Sequence, residues 1–166
     1  LTVAGKMDMA NTATPTALRF SRQNITDLPE GNDYSLAERG AYIVAGSDEN
    51  PDVVMVASGS EVSTLISGAN LLRKDGVRCR IVSVPSEGLF RSQPKEYQES
   101  VVPAGAKVFG MTAGLPVNLQ GFLVRAAPES KILGLESFGF SAPYKVLDEK
   151  LGYTGENVYA QVKAML

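Results

Sequence analysis

Apolar residues recur along this chain in two rhythms that alternate. Val53-Val54-Met55-Val56-Ala57 is a continuous apolar run, the pattern of a strand whose two faces are both covered, as in a parallel sheet flanked by helices. After it, Val62, Leu65, Ile66, Ala69 and Leu72 fall on one face of a helix, with Ser60 placed as its N-cap and Gly76 just past its end. Gly68 inside that helix costs about 1 kcal/mol relative to alanine; it marks either close contact with the sheet or a tolerated imperfection. Residues 81–84 read as a second buried strand stopped by Pro85, and Pro94 opens a short helix that carries Tyr97 and Val101 inward and ends before Pro103. Residues 107–111 and 131–135 read as further strands, leading into Thr112-Ala113-Gly114 and Glu136-Ser137-Phe138-Gly139. Two helices close the chain, one from about Pro143 to Leu151 with Gly152 beyond it and one from Gly155 to Leu166 capped by Thr154. Residues 41–44, bracketed by Gly40 and Gly46, read as a sheet-edge strand. This alternation predicts an α/β fold of three layers, with a mostly parallel sheet of about five strands and one antiparallel edge strand.

Ahead of that pattern, residues 16–20 form an apolar, strand-like run that ends in Ser21-Arg22-Gln23-Asn24. Arg22 is thereby left at the mouth of a strand. Its planar fork of donors fits phosphate or carboxylate oxygens two at a time, and a strand end is a rigid place to hold such a clamp. A solvated surface arginine is the plainer alternative. Residues 24–40 then gather Asp27, Pro29, Glu30, Gly31, Asn32 and Asp33 without sustained periodicity, which predicts a linker.

Composition narrows the chemistry. The 166 residues contain no histidine, which removes Ser-His-Asp and Cys-His nucleophilic arrangements, imidazole metal sites and the commonest acid–base group near neutral pH. The one cysteine, Cys79, excludes an internal disulfide and suits a reducing, cytoplasmic compartment. Its setting predicts buried packing, although the flanking Arg78 and Arg80 could lower its pKa. A net charge of −2 and the lack of a basic, aromatic-interleaved stripe argue against nucleic acid as a partner. No apolar run is long enough to span a membrane, and residues 1–10 lack a signal-peptide pattern.

In an open sheet of this kind ligands favour the crevice beyond the carboxyl ends of the strands. Ser58-Gly59-Ser60, Thr112-Ala113-Gly114 and Ser137-Phe138-Gly139 are expected to share that rim. A small anion could sit at the helix start formed by Gly59 and Ser60, but Glu61 places a competing carboxylate there and a capping role is the stronger reading. The single glycine fails as a dinucleotide fingerprint. Glu136, Asp148 and Glu149 do not form a paired-acid pattern, and Phe138 and Phe140 are expected to pack in the core or at a subunit interface.

Four segments carry a family resemblance, in family order: residues 15–24, Ala57-Ser58-Gly59-Ser60-Glu61-Val62, Val84-Pro85-Ser86, and residues 136–143, with Glu156-Asn157-Val158 opening the last helix. Together they resemble the C-terminal third of transketolase. The resemblance implies a tail of the pyrimidine-binding domain over residues 1–24, a linker over 25–40 and the transketolase C-terminal α/β domain over 41–166. It implies a parent enzyme of the pentose phosphate pathway that moves a two-carbon ketol unit between sugar phosphates, using thiamine diphosphate and a divalent metal, Mg or Ca. Those groups belong to domains mostly absent here, so no cofactor, metal ligand or catalytic residue is expected in this chain, which is expected to be inactive alone. The resemblance gives Arg22 the role of binding the substrate phosphate, and makes the partners the rest of the subunit and a second subunit in a dimer. Residues 111–118 depart from the family pattern, so no role is carried over to that loop. The alternatives are a free-standing α/β module that binds an anionic effector, and the equivalent domain of dihydroxyacetone synthase or another thiamine-dependent enzyme such as a 2-oxo acid dehydrogenase component.

Overall fold

The computed structural model describes residues 2–20, 24, 25, 27, 28, 33–46 and 49–166. Five strands, β1 (Tyr42–Ala45), β2 (Val53–Ala57), β3 (Cys79–Ser83), β4 (Val108–Met111) and β5 (Lys131–Leu133), form one sheet in the order β1-β3-β2-β4-β5. β1 runs antiparallel to β3 at one edge and every other pairing is parallel. The α/β sheet with a single antiparallel edge strand is the predicted one.

Side chains on a strand alternate between faces, and here each face meets its own layer. Val53, Met55 and Ala57 join Ile81, Phe109 and Met111 under α2 (Glu61–Lys74) and α6 (Gly155–Lys163). Val54 and Val56 join Val82 and Val108 on the opposite face. Phe90 of α3 (Glu87–Arg91), Val101 of α4 (Lys95–Val101) and Leu119 and Phe122 of a 3-10 helix (Pro116–Leu123) cover that face. All five β2 residues are buried, which is why the run has no polar member.

The same alternation resolves Cys79. Its thiol lies in the α2/α6 core, where burial pushes its pKa up to about 11. Arg78 turns instead to Asp52, with Nη2 2.6 Å from Oδ1. Arg80 points through the opposite face, where its Nη1 donates to the Ser100 and Val101 carbonyls at 3.0 and 3.1 Å. Arg80 is 4% exposed, a buried cation placed on the open carbonyl end of α4. The thiol is thus inert packing, and the neighbouring arginines serve other elements.

Gly68 has a different neighbour from the one anticipated. A Cβ there would lie 2.4 Å from Val158 Cγ1, so the glycine brings α2 against α6 and not against the sheet. Gly155 answers it from α6: its own Cβ position is 2.9 Å from Ser67 Cβ. Thr154 caps α6 as expected, its side chain accepting from the Asn157 amide at 3.2 Å.

Several elements lack the expected form. Residues 16–20 form no strand and are exposed throughout; a strand needs a neighbour's hydrogen bonds, and no edge here supplies them. Residues within the anticipated linker form a 3-10 helix (Tyr34–Arg39) started by Asp33, whose carboxylate accepts from the Ser35 amide at 3.0 Å. α1 (Thr2–Ala10), α3 and the 3-10 helix at Pro116–Leu123 were not signalled by periodicity, being short or interrupted by glycine. The boundaries of β1, β3, β4 and β5 shift by one or two residues from those expected.

Gly68→Ala tests the α2–α6 contact. The gain of about 1 kcal/mol in helix propensity is expected to be outweighed by overpacking of about 1 to 3 kcal/mol, giving a net loss in urea denaturation. Val158→Ala in the same molecule should recover part of it.

Candidate functional site at the carboxyl rim of the sheet

The strands end on one rim, and the backbone there is laced together. Val84 N donates to Ala57 O at 2.8 Å, Thr112 N to Leu133 O at 3.0 Å and Leu135 N to Gly114 O at 2.8 Å. The exits of β4 and β5 therefore lie side by side. The β2 exit joins them through Glu61, whose carboxylate accepts from the Ala113 amide as well as from its own and from the Ser60 hydroxyl. Tyr153, in the turn between α5 (Tyr144–Leu151) and α6, donates its buried hydroxyl to Thr112 O at 2.9 Å.

Ser60 does not cap α2. Its backbone is already helical, at φ −61° and ψ −31°, and no side-chain capping bond forms. A capping residue needs extended geometry to reach back to the helix amides; the Ser60 hydroxyl instead donates to Glu61 Oε1 at 2.8 Å. Short turn bonds from Val62 N to Gly59 O and from Ser63 N to Ser60 O use part of the donor capacity of the first turn. Gly59, at φ 63°, leaves the turn open on the side where a Cβ would stand.

The charge at this turn is negative. Burial pushes the Glu61 carboxyl above the usual carboxylate range, the three donors lower it in part, and the Asp148 carboxylate of α5 raises it further. Burial also raises Asp148. The Tyr153 hydroxyl is raised by burial first and by Glu61 second. An anion at Gly59 and Ser60 would meet two carboxylates, so the electrostatics weigh against the anion site, which was the weaker of the two readings of this turn.

The third rim segment goes another way. Among the described residues no hydrogen bond joins residues 137–139 to the Gly59 turn. Phe138 is 100% exposed and Phe140 50% exposed, so neither packs in a core as one expectation had it. The Lys150 Nζ lies 3.8 Å from the Phe140 ring centroid, a cation–π contact. Glu136 instead borders an open groove beside β5 with Leu115, Val117, Leu123 and Ile132. Sequence reasoning passed over this groove because two of its walls come from a helix that periodicity did not reveal.

Arg22, the expected phosphate clamp, lies outside the described residues. Its described neighbours on either side, Phe20 and Asn24, are exposed.

A family model described as the transketolase-like TK C-terminal domain matches residues 40–154. The chain belongs to the transketolase family. It is 36% identical over 166 residues to the transketolase of Staphylococcus aureus strain MW2, an alignment covering 98% of this chain and 25% of that protein. The transketolase of Halalkalibacterium halodurans is 33% identical over 168 residues, with 98% and 24% covered. The fold agrees with the solved transketolase from Leishmania mexicana at a TM-score of 0.87 and 34% identity, over 98% of this chain and 23% of that one. The chain spans about a quarter of the length of the curated relatives it matches, and it corresponds to the C-terminal domain of these transferases.

Membership of this family raises the question of thiamine diphosphate and its metal. Among the described residues no group of three or more His, Cys, Asp or Glu side chains is placed to hold a metal ion. The open turn at Gly59 presents carboxylates where a diphosphate would need cations or free amides. The turn at Gly59 therefore does not fit the diphosphate of the cofactor. No described helix is long and apolar enough to cross a membrane.

The rim carries a pH signature. Because burial holds the Glu61 pKa above its unfolded value, the ionised carboxylate costs stability above the folded pKa. That cost disappears once the pH falls below the unfolded value. Glu61→Gln is expected to melt higher than the parent chain at pH 7.5, with the difference shrinking toward zero by about pH 4. A difference independent of pH would contradict the burial argument.

Proposed function

We propose that this chain is the C-terminal portion of a transketolase whose whole subunit moves a two-carbon ketol unit between sugar phosphates with thiamine diphosphate and a divalent metal. The observation that carries this reading is the 36% identity to a named transketolase across 98% of the chain. On this reading residues 1–24 are the tail of the preceding pyrimidine-binding domain, 25–40 the linker and 41–166 the C-terminal domain. The exposure of residues 16–20, with Phe20 64% exposed, supports it, because an apolar strand-like run without a partner here fits a sheet that lies elsewhere in the subunit.

The chain's contribution is a scaffold, dimer contacts and one phosphate-binding cation. The cofactor supplies the electron sink that stabilises the carbanion of ketol transfer; this chain holds no group in that step. Arg22 binds the phosphate of the sugar substrate through a charge-assisted, bidentate contact, at a distance from the reacting carbons. Its loss weakens binding and leaves the bond-making machinery in place.

Two measurements test the reading. The chain alone should show no ketol transfer with a ketose phosphate donor and an aldose phosphate acceptor, and transfer should appear when it is produced together with the remaining part of a transketolase subunit. In that complex Arg22→Ala should raise the KM for phosphorylated sugars roughly tenfold or more, equivalent to about 1.5 to 3 kcal/mol. An unchanged KM would overturn the role of Arg22, and turnover by the chain alone would overturn the division of labour.

A further inference from the structure

The chain is fastened down before it enters β1. Residues 25–40 have the composition of a linker, yet Leu28, Leu36 and Ala37 pack against the α2/α6 core and Ala41 is buried in the core of the opposite face. Between them the 3-10 helix (Tyr34–Arg39) ends at Gly40, whose φ of 83° is the left-handed conformation that favours glycine. Gly40 is buried. A Cβ there would overlap the Phe90 amide and the Ser86 carbonyl, and the Gly40 carbonyl accepts from the Ser86 amide at 2.9 Å. The start of α3 therefore closes directly on this turn.

Tyr97 of α4 grips the same turn twice. Its hydroxyl donates to Ala41 O at 2.9 Å, and the Arg39 guanidinium lies 4.6 Å from its ring centroid, a cation–π contact. The Tyr97 ring meets Phe90 edge-on with centroids 6.3 Å apart, and Phe90 stacks on Phe122 at 5.2 Å. The grip thus runs back into the helical roof of the sheet. Arg39, Gly40 and Ala41, three consecutive residues, are each held by a group from α3 or α4 or from the α3 cap.

We propose that residues 33–41 form a docked joint and not a flexible tether, with Tyr97 as the positioning residue that locks the entry of the chain into β1. Any swing between this domain and whatever precedes it then has its pivot outside residues 33–41. The consequence for a whole subunit rests on the proposed function: consecutive domains move relative to one another unless the connection is held, and this clamp removes the last stretch of the connection from that motion.

Trypsin reads the joint directly, because Arg19 and Arg39 both have exposed side chains and only Arg39 lies in the clamp. Cleavage of a docked segment waits for local opening. In the native 166-residue chain, the cut after Arg39 should run about a hundredfold or more slower than the cut after Arg19, followed by mass spectrometry of timed digests. Tyr97→Leu removes both contacts and should speed the Arg39 cut about tenfold or more, while the Arg19 cut and the hydrogen exchange of the β2 amides keep their parent rates. Tyr97→Phe keeps the ring and loses only the hydroxyl bond, so it should speed the Arg39 cut by about two- to tenfold, the worth of one neutral hydrogen bond. Equal rates at the two arginines in the parent chain, no acceleration in Tyr97→Phe, or an acceleration matched by β2 exchange would overturn the proposal. The digest involves no ketol transfer, so it stands unchanged if reconstitution fails and the two readings fail separately.

Discussion

The structure depends on a constraint at its centre, where β2 has water on neither face. Every residue of Val53–Ala57 is buried, so both faces of the sheet must be roofed and the backbone must be paired on both edges. β3 and β4 supply the edges, in parallel register. α2 and α6 roof one side; α3, α4 and the Pro116–Leu123 helix roof the other. Parallel neighbours require crossovers, and α2, α3, α4 and the Pro116–Leu123 helix lie in those crossovers, while α6 follows the last strand and completes the roof beside α2.

The helical roof over α2 requires a second close fit. Gly68 and Gly155 remove side chains where the two helices touch, and Val158 fills the space left. The last helix is thereby fixed against the first crossover. Lys107 then holds the end of the chain, donating from Nζ to the Met165 and Leu166 carbonyls at 3.0 and 3.1 Å. With both ends of the sheet's helical cover anchored, the strand exits can carry the exposed loops of the rim.

That rim is where the family's chemistry would be sought, and its character is acidic and aromatic. Glu61 knits the β2 exit to the β4 exit, Tyr153 ties the α5–α6 turn to Thr112, and the arm bearing Phe138 stands clear. The two carboxylates near the Gly59 turn make that part of the surface unfavourable for a phosphate. The chain spans about a quarter of its transketolase relatives and corresponds to their C-terminal domain.

The layered α/β architecture, the buried strands, α2, α6 and the family motifs were all legible in the residues, because hydrophobic period and capping are local properties that a linear pattern records. The glycine-containing short helices, α1, α3 and Pro116–Leu123, were not, since five to nine residues interrupted by glycine carry too few turns to establish a period, whereas α4 was marked by Pro94 and Pro103. Contacts were decided only in three dimensions. Gly68 meeting α6, the Ser60 hydroxyl turning to Glu61, and Arg80 and Cys79 parting to opposite faces each depend on what stands across the gap. For the same reason residues 16–20 have the pattern of a strand without forming one. Pattern confers the capacity to pair, whereas pairing needs an edge that only the surrounding fold can provide.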